Sequence, residues 1–224
     1  MCNEYLGEDD IALFEEMKRT NPRRYKIEGL GEWGVAEGLI YENWEEMDFD
    51  PIAMMNQRTS NGNKVYRELY GLDFGFANDP TAFIALLADE KKKKIFIYDE
   101  IYKVRMSNQQ IFENIHYKGY ENCVIRADNQ DARTINELKL LGLNRLRRCK
   151  KGKDSIIAGI QKLQDYQIYV HPRCMNTIVE LNNYVWDKDK ETGKTLNHPI
   201  DDYNHLMDAL RYATEALNGR TFSF

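Results

Sequence analysis

Asp201, His205 and Asp208 are the first residues whose types and spacing suggest chemistry, set in the run Asp-Asp-Tyr-Asn-His-Leu-Met-Asp-Ala-Leu-Arg-Tyr-Ala from 201 to 213. At 3.6 residues per turn, the spacing i, i+4, i+7 stacks them on one helical stripe, from which a rigid helix can offer ligands to a cation. Leu206, Ala209, Leu210, Ala213 and Leu217 recur on a neighbouring face, so this helix should pack on a core. A plainer reading stands beside it: Asp201 or Asp202 caps the helix and complements its dipole. Asp208 lies too far inside the helix to cap it, and an ion pair with Arg211 is its alternative to a cation.

Two more aspartates fall where strands should end. Asp73 stands in Tyr-Gly-Leu-Asp-Phe-Gly-Phe, between glycines that permit close approach of another backbone or a ligand. Asp128 closes Cys-Val-Ile-Arg-Ala-Asp. As alternatives, Asp73 could form the turn at Asn78-Asp79-Pro80 and Asp128 could cap the next helix, although Asn129 and Asp131 cap equally well. Carboxylates on two strand ends and on the last helix are what a pair of divalent ions about 3.5–4 Å apart requires for phosphodiester hydrolysis. Hard oxygen ligands suit Mg²⁺ or Mn²⁺, and a nearby imidazole favours Mn²⁺.

The elements that must position these residues follow from pattern. Tyr66 to Phe74, Thr81 to Ala88 and Lys94 to Lys103 alternate like three strands of an antiparallel meander. A helix capped by Ser107 runs to about Lys118, and a buried strand covers Cys123 to Asp128. A helix from Asp131 to Leu141 closes at Gly142, and Leu143 to Cys149 is the next strand candidate. Lys153 to Tyr166 and Arg173 to about Tyr184 read as helices around a short strand at Ile168 to Val170, and Val185 to Asn197 as a charged hairpin with its tip near Gly193. This order predicts an α/β fold: a mixed five-stranded sheet, antiparallel meander plus parallel strands, flanked by helices. Residues 1–60, rich in glycine around Trp33 and Trp44, read as a connector, with the compact domain at 61–220.

Composition bounds the function. The 224 residues are 42% hydrophobic and 30% charged, enough for one α/β domain with an appended segment. No apolar run approaches a membrane span and the first residues lack signal-peptide blocks, so the expected setting is cytosolic without membrane partners. Cys2, Cys123, Cys149 and Cys174 form no Cys-x-x-Cys pair, which argues against zinc knuckles and redox motifs. The net charge of −5 excludes a general basic sheath, leaving two local basic clusters. Lys91 to Lys94 read as a solvated hairpin tip. Arg145, Arg147, Arg148, Lys150, Lys151 and Lys153 are the better nucleic-acid candidate.

Gly-Leu-Asp-Phe-Gly-Phe-Ala-Asn-Asp-Pro-Thr-Ala (71–82), Arg-Ala-Asp-Asn-Gln-Asp (126–131), Lys-Lys-Gly-Lys-Asp-Ser-Ile (150–156) and Tyr-Asn-His-Leu-Met-Asp-Ala-Leu-Arg-Tyr (203–212) occur in one order. Together they resemble the C-terminal nuclease domain of large terminase subunits of tailed bacteriophages, over roughly residues 60 to 218. The resemblance implies a ribonuclease H-like fold and metal-dependent cutting of concatemeric double-stranded phage DNA, with low sequence specificity, during packaging. It implies Asp73, Asp128 and Asp208 as ligands of two divalent cations, Mn²⁺ or Mg²⁺, and His205 as accessory ligand or proton-transfer group. It also implies a hairpin at the cleft, and Lys150, Lys151 and Lys153, with Arg148 beside them, facing the DNA backbone. Asp201, Asp202 and Asp131 are possible accessories; Asp131 stands where relatives often carry glutamate.

The same resemblance implies a small terminase subunit, a portal and an ATPase domain as partners, in the cytoplasm of an infected or lysogenic bacterium. No Gly-x-x-x-x-Gly-Lys-Ser/Thr loop occurs in the sequence, so no ATPase activity is expected of this chain, which reads as a C-terminal fragment or separately encoded nuclease half. Two alternatives remain open. One is a ribonuclease H or Holliday-junction resolvase of the same fold, and the other is a non-catalytic module docking DNA or the portal.

Overall fold

The computed structural model describes residues 38–75, 78–128, 132–149, 155–189 and 191–217. Their centre is a seven-stranded sheet in the order β1-β7-β4-β3-β2-β5-β6. Its strands are β1 (Trp44–Glu46), β2 (Arg67–Asp73), β3 (Pro80–Asp89), β4 (Lys94–Val104), β5 (Ile125–Ala127), β6 (Arg147–Arg148) and β7 (Gln167–Val170). β2, β3 and β4 form the expected antiparallel meander, and β5, β6, β7 and β1 add in parallel. The helices are α1 (Pro51–Asn56), α2 (Asn108–Tyr117), α3 (Ala132–Leu141), α4 (Ser155–Gln164), α5 (Met175–Asn183) and α6 (His205–Thr214).

Strict alternation divides the core. Ala82, Ile84, Leu86 and Ala88 of β3 face one side, with Ile160 and Leu163 of α4, Leu181 of α5, and Leu206, Ala209, Leu210 and Ala213 of α6. Phe83, Ala85 and Leu87 face the other, with Ile111 and Ile115 of α2 and Ile135 and Leu138 of α3. All ten residues of β3 are buried, as a strand covered on both faces must be. No helix among the described residues is long and apolar enough to cross a membrane.

Three sequence expectations change. The sheet has seven strands rather than five: the three-residue edge strand β1 is too short for an alternation signal, and the strand expected over Leu143 to Cys149 narrows to the two residues of β6. β1 lies inside the expected connector, yet Trp44 is buried and pairs with Ile168, and the compact unit begins at Gly38 rather than near 61. The last helix begins at His205, because Tyr203 takes a left-handed backbone (φ 54°) that interrupts any helix from Asp201. Asp201 is therefore off the stripe, and both Asp201 and Asp202 are exposed.

The hairpin is present as β8 (Trp186–Lys188) and β9 (Thr195–Pro199), with Gly193 at its tip at φ 67°. Asp189 accepts hydrogen bonds from the backbones of Glu191 and Thr192 and from the Thr192 hydroxyl, fixing the turn. β9 runs on through residues 200–204 into the first residue of α6.

Candidate active site

Asp73 is the last residue of β2, and Asp128 directly follows β5. The two strands are neighbours in parallel register, with Leu72 opposite Ala127, so both carboxylates leave the same edge of the sheet side by side. Helix α6 crosses over this edge. On β2, Leu69, Gly71 and Asp73 share the face toward α6. A Cβ at Gly71 would stand 1.9 Å from the Ala209 carbonyl oxygen and 2.9 Å from the Ala213 backbone nitrogen. Only glycine permits this contact, which sets Asp208, the residue before Ala209, over the strand ends. Gly71 thus serves the close backbone approach expected of the glycines beside Asp73.

The side chains are drawn out of water together. Asp73, with 14% of its side chain exposed, lies with Oδ2 3.3 Å from His205 Nδ1. Burial pushes the Asp73 carboxyl up to about 6; His205 opposes the shift, and the charges of Asp208 and Asp128 add to it. His205 is raised above the usual imidazole range, chiefly by its hydrogen bond to Asp73. Tyr102 presents an edge to the imidazole, with ring centroids 6.5 Å apart. Asp208 is also raised by burial, against the pull of Arg211 and with a further push from Asp128.

Arg211 is the partner the sequence offered as an alternative to a cation. Its Nη2 lies 2.6 Å and its Nε 3.1 Å from the same oxygen, Asp208 Oδ1. The guanidinium side chain is 7% exposed and sits above the Tyr212 ring. Gly159 of α4 makes room for it: a Cβ there would come within 3.0 Å of Arg211 Cδ. A cavity of about 490 Å³ opens beside this pair, lined by Asp128, Asp208, Arg211, Lys162, Cys149 and Tyr212 among others. Lys162 donates from Nζ to the carbonyls of Thr214 and Glu215.

Asp73, Asp128, Asp208 and His205 are therefore gathered at one edge of the sheet. Asp201 accepts from the Asn204 amide and Asp202 from the Tyr203 backbone, and neither caps α6. Arg148 is exposed on β6, paired with Ala127 and so adjacent to Asp128. Lys150, Lys151, Lys153 and Asp131 lie outside the described residues. Lys91 and Lys92 form a hairpin tip whose backbones are held by Asp89 Oδ1.

Sequence reasoning missed Glu180. It is 1% exposed, and its Oε2 accepts from the backbone nitrogens of Leu206 (2.7 Å) and Met207 (3.2 Å). The available signal was an acid beside Thr177 and Leu181 on the buried stripe of α5, where a charge needs a partner.

The donor set fits hard divalent cations: three carboxylates, of which Asp73 and Asp208 are raised first by burial and then by the charge of neighbouring aspartates, which a cation would relieve. Among the described residues, no three His, Cys, Asp or Glu side chains are placed so that they could together hold a metal ion.

A mixed sheet in this order, with acids at adjacent strand ends beneath the last helix, defines a ribonuclease H-like domain. Residues 73–216 match the family described as terminase RNAseH like domain. The chain belongs to that family. It is 32% identical over 216 residues to the large terminase subunit of Bacillus phage SPP1, covering 95% of this chain and 50% of that protein. It is 25% identical to the PBSX phage terminase large subunit of Bacillus subtilis, over 95% of this chain and 48% of that one. The chain thus spans about half the length of the curated relatives it matches. Among solved structures, the SPP1 large terminase nuclease domain with bound Mn superposes with a TM-score of 0.68 at 30% identity, covering 79% of this chain and 98% of that one.

Proposed function

We propose that this domain is a metal-dependent endonuclease that cuts double-stranded DNA with little sequence preference during packaging of a concatemeric phage genome. The observation that carries the reading is the convergence of Asp73, Asp128 and Asp208, since a docking module has no need to hold mutually repelling carboxylates in a desolvated cluster. Two divalent cations, Mn²⁺ or Mg²⁺, held by these aspartates would supply an activated water and neutralise charge at the leaving oxygen. The relative solved with Mn supports that choice of ion.

The chain's own residues have definable tasks. Asp73 keeps His205 oriented through Nδ1, and a raised imidazole pKa suits His205 to holding a proton near the scissile phosphate. Arg211 fixes the Asp208 carboxylate by one oxygen. Arg148, with Lys150, Lys151 and Lys153, would meet the DNA backbone through phosphate contacts, which carry no sequence information. Asp131, three positions after Asp128 in the sequence, is a candidate accessory ligand. An ATPase domain, the small subunit and the portal would be packaging partners in the host cytoplasm.

The test is nicking of supercoiled plasmid by the full chain. Mn²⁺, and more weakly Mg²⁺, should support it, chelator should stop it, and Asp128→Ala or Asp208→Ala should abolish it with the circular dichroism spectrum retained. Unchanged cleavage by Asp208→Ala overturns the assignment. Cleavage confined to RNA–DNA hybrids or four-way junctions would instead identify a ribonuclease H or resolvase.

A further inference from the structure

Helix α6 carries both His205 and Asp208 in its first turn, yet no side chain near it in sequence caps that end. Asn204, at the N-cap, makes no side-chain capping bond, and Asp201 and Asp202 turn to other partners. The amides of Leu206 and Met207 go instead to Glu180, a buried carboxylate from α5. Helix α5 is built the same way. Cys174, its N-cap, makes no side-chain capping bond, and Glu100 of β4 takes its place. Glu100 Oε1 accepts from Asn176 N (2.9 Å) and Nδ2 (2.7 Å), and Oε2 from Thr177 N (2.9 Å) and Oγ1 (2.7 Å).

The geometry points to Glu180 as a positioning residue for the active site, the second step of a carboxylate relay that references α6 to the sheet. Glu100 fixes the start of α5 to β4, and Glu180, about one turn beyond Thr177 on α5, fixes the start of α6. A carboxylate accepting two amides at a helix N-terminus is favourable for charge as well as for hydrogen bonding. Because Glu180 Oε2 grips the two residues between His205 and Asp208, releasing it frees the turn that presents both. Tyr102 of β4 lies between these groups, its ring against His205 and its hydroxyl interacting with Glu180. Gly71 sets how near α6 lies to β2, and Glu180 sets where the helix begins.

This inference rests on the metal-centre reading for one of its two readouts only. In the full chain, amide hydrogen exchange over residues 205–208 and Mn²⁺ affinity by water-proton relaxation are measured for wild type, Glu180→Ala, Glu180→Gln and Ile135→Val. The last variant loosens the opposite core face and controls for general destabilisation. Glu180→Ala should speed exchange at Leu206 and Met207 by tenfold or more and weaken Mn²⁺ binding by tenfold or more. Glu180→Gln, whose amide oxygen can still accept both bonds, should stay within threefold of wild type in each. Unchanged exchange in Glu180→Ala, or an equal loss of Mn²⁺ affinity in Ile135→Val, overturns the proposal. A wild-type chain that binds no Mn²⁺ overturns the metal-centre reading instead, and the exchange rates then decide the role of Glu180 alone.

Discussion

Replacing Gly71 with alanine probes the contact that sets the active-site geometry. The added Cβ would lie 1.9 Å from the Ala209 carbonyl oxygen. This is roughly 1.5 Å short of ordinary van der Waals contact. The obstruction is backbone on both sides, so no side chain can rotate to relieve it; α6 must rise from β2 by a comparable distance. Overpacking of a well-packed core costs about 1–3 kcal/mol, and a clash with a helix backbone belongs at the upper end. The site should suffer more than the fold, because a displacement of about 1 Å can cost on the order of 100-fold in rate. Urea denaturation should therefore show a loss of about 3 kcal/mol, with the protein still folded at pH 7. Plasmid nicking at saturating Mn²⁺ should fall on the order of 100-fold, since Asp208 moves away from Asp73 and Asp128. Wild-type nicking in a Gly71→Ala chain, at whatever stability, would refute the idea that this contact sets the site.

Other perturbations give separate readouts. Arg211→Met leaves Asp208 with an uncompensated, mostly buried charge and should cost roughly 3 kcal/mol without metal; Mn²⁺ should then raise Tm by more than it does in wild type, and equal shifts would contradict the counter-ion role. Burial pushes the Glu180 carboxyl up to about 7 from an ordinary value near 4.5. The folded chain therefore binds this proton more tightly than the unfolded chain, and its stabilising effect is lost as pH rises from about 4.5 to about 7, by at most about 3 kcal/mol. Glu180→Gln should flatten that part of the profile, read from urea midpoints at pH 5 and pH 8; an unchanged slope would contradict the assignment. His205→Ala should reduce nicking partially and shift its pH profile, and an unaltered profile would remove His205 from proton transfer.

The sequence carried the site further than it carried the sheet edges. Asp73 and Asp128 were legible because each ends an alternating or apolar run, and strand ends are where a parallel pair projects its residues. Gly71 was legible as a place of close approach, although not that Ala209 would be the neighbour. Asp201 was misplaced because the i, i+4, i+7 spacing presumes a continuous helix, and the left-handed Tyr203 interrupts it. The cap was misassigned for a related reason: local rules search within three residues, whereas Glu180 reaches Leu206 from 26 residues away. β1 was lost to brevity, since pairing with β7, rather than any pattern of its own, makes it a strand, whereas the strand expected over Leu143 to Cys149 is present but shortened to β6 beside β5.

The central claim is that Asp73, Asp128 and Asp208 assemble a cation site at the edge of the sheet. Crystals grown with Mn²⁺ and measured at the manganese absorption edge test it most directly. Anomalous density among these three carboxylates, lost in Asp208→Ala crystals, is the expected result. Its absence there at saturating Mn²⁺, or a peak only at other residues, would contradict the account.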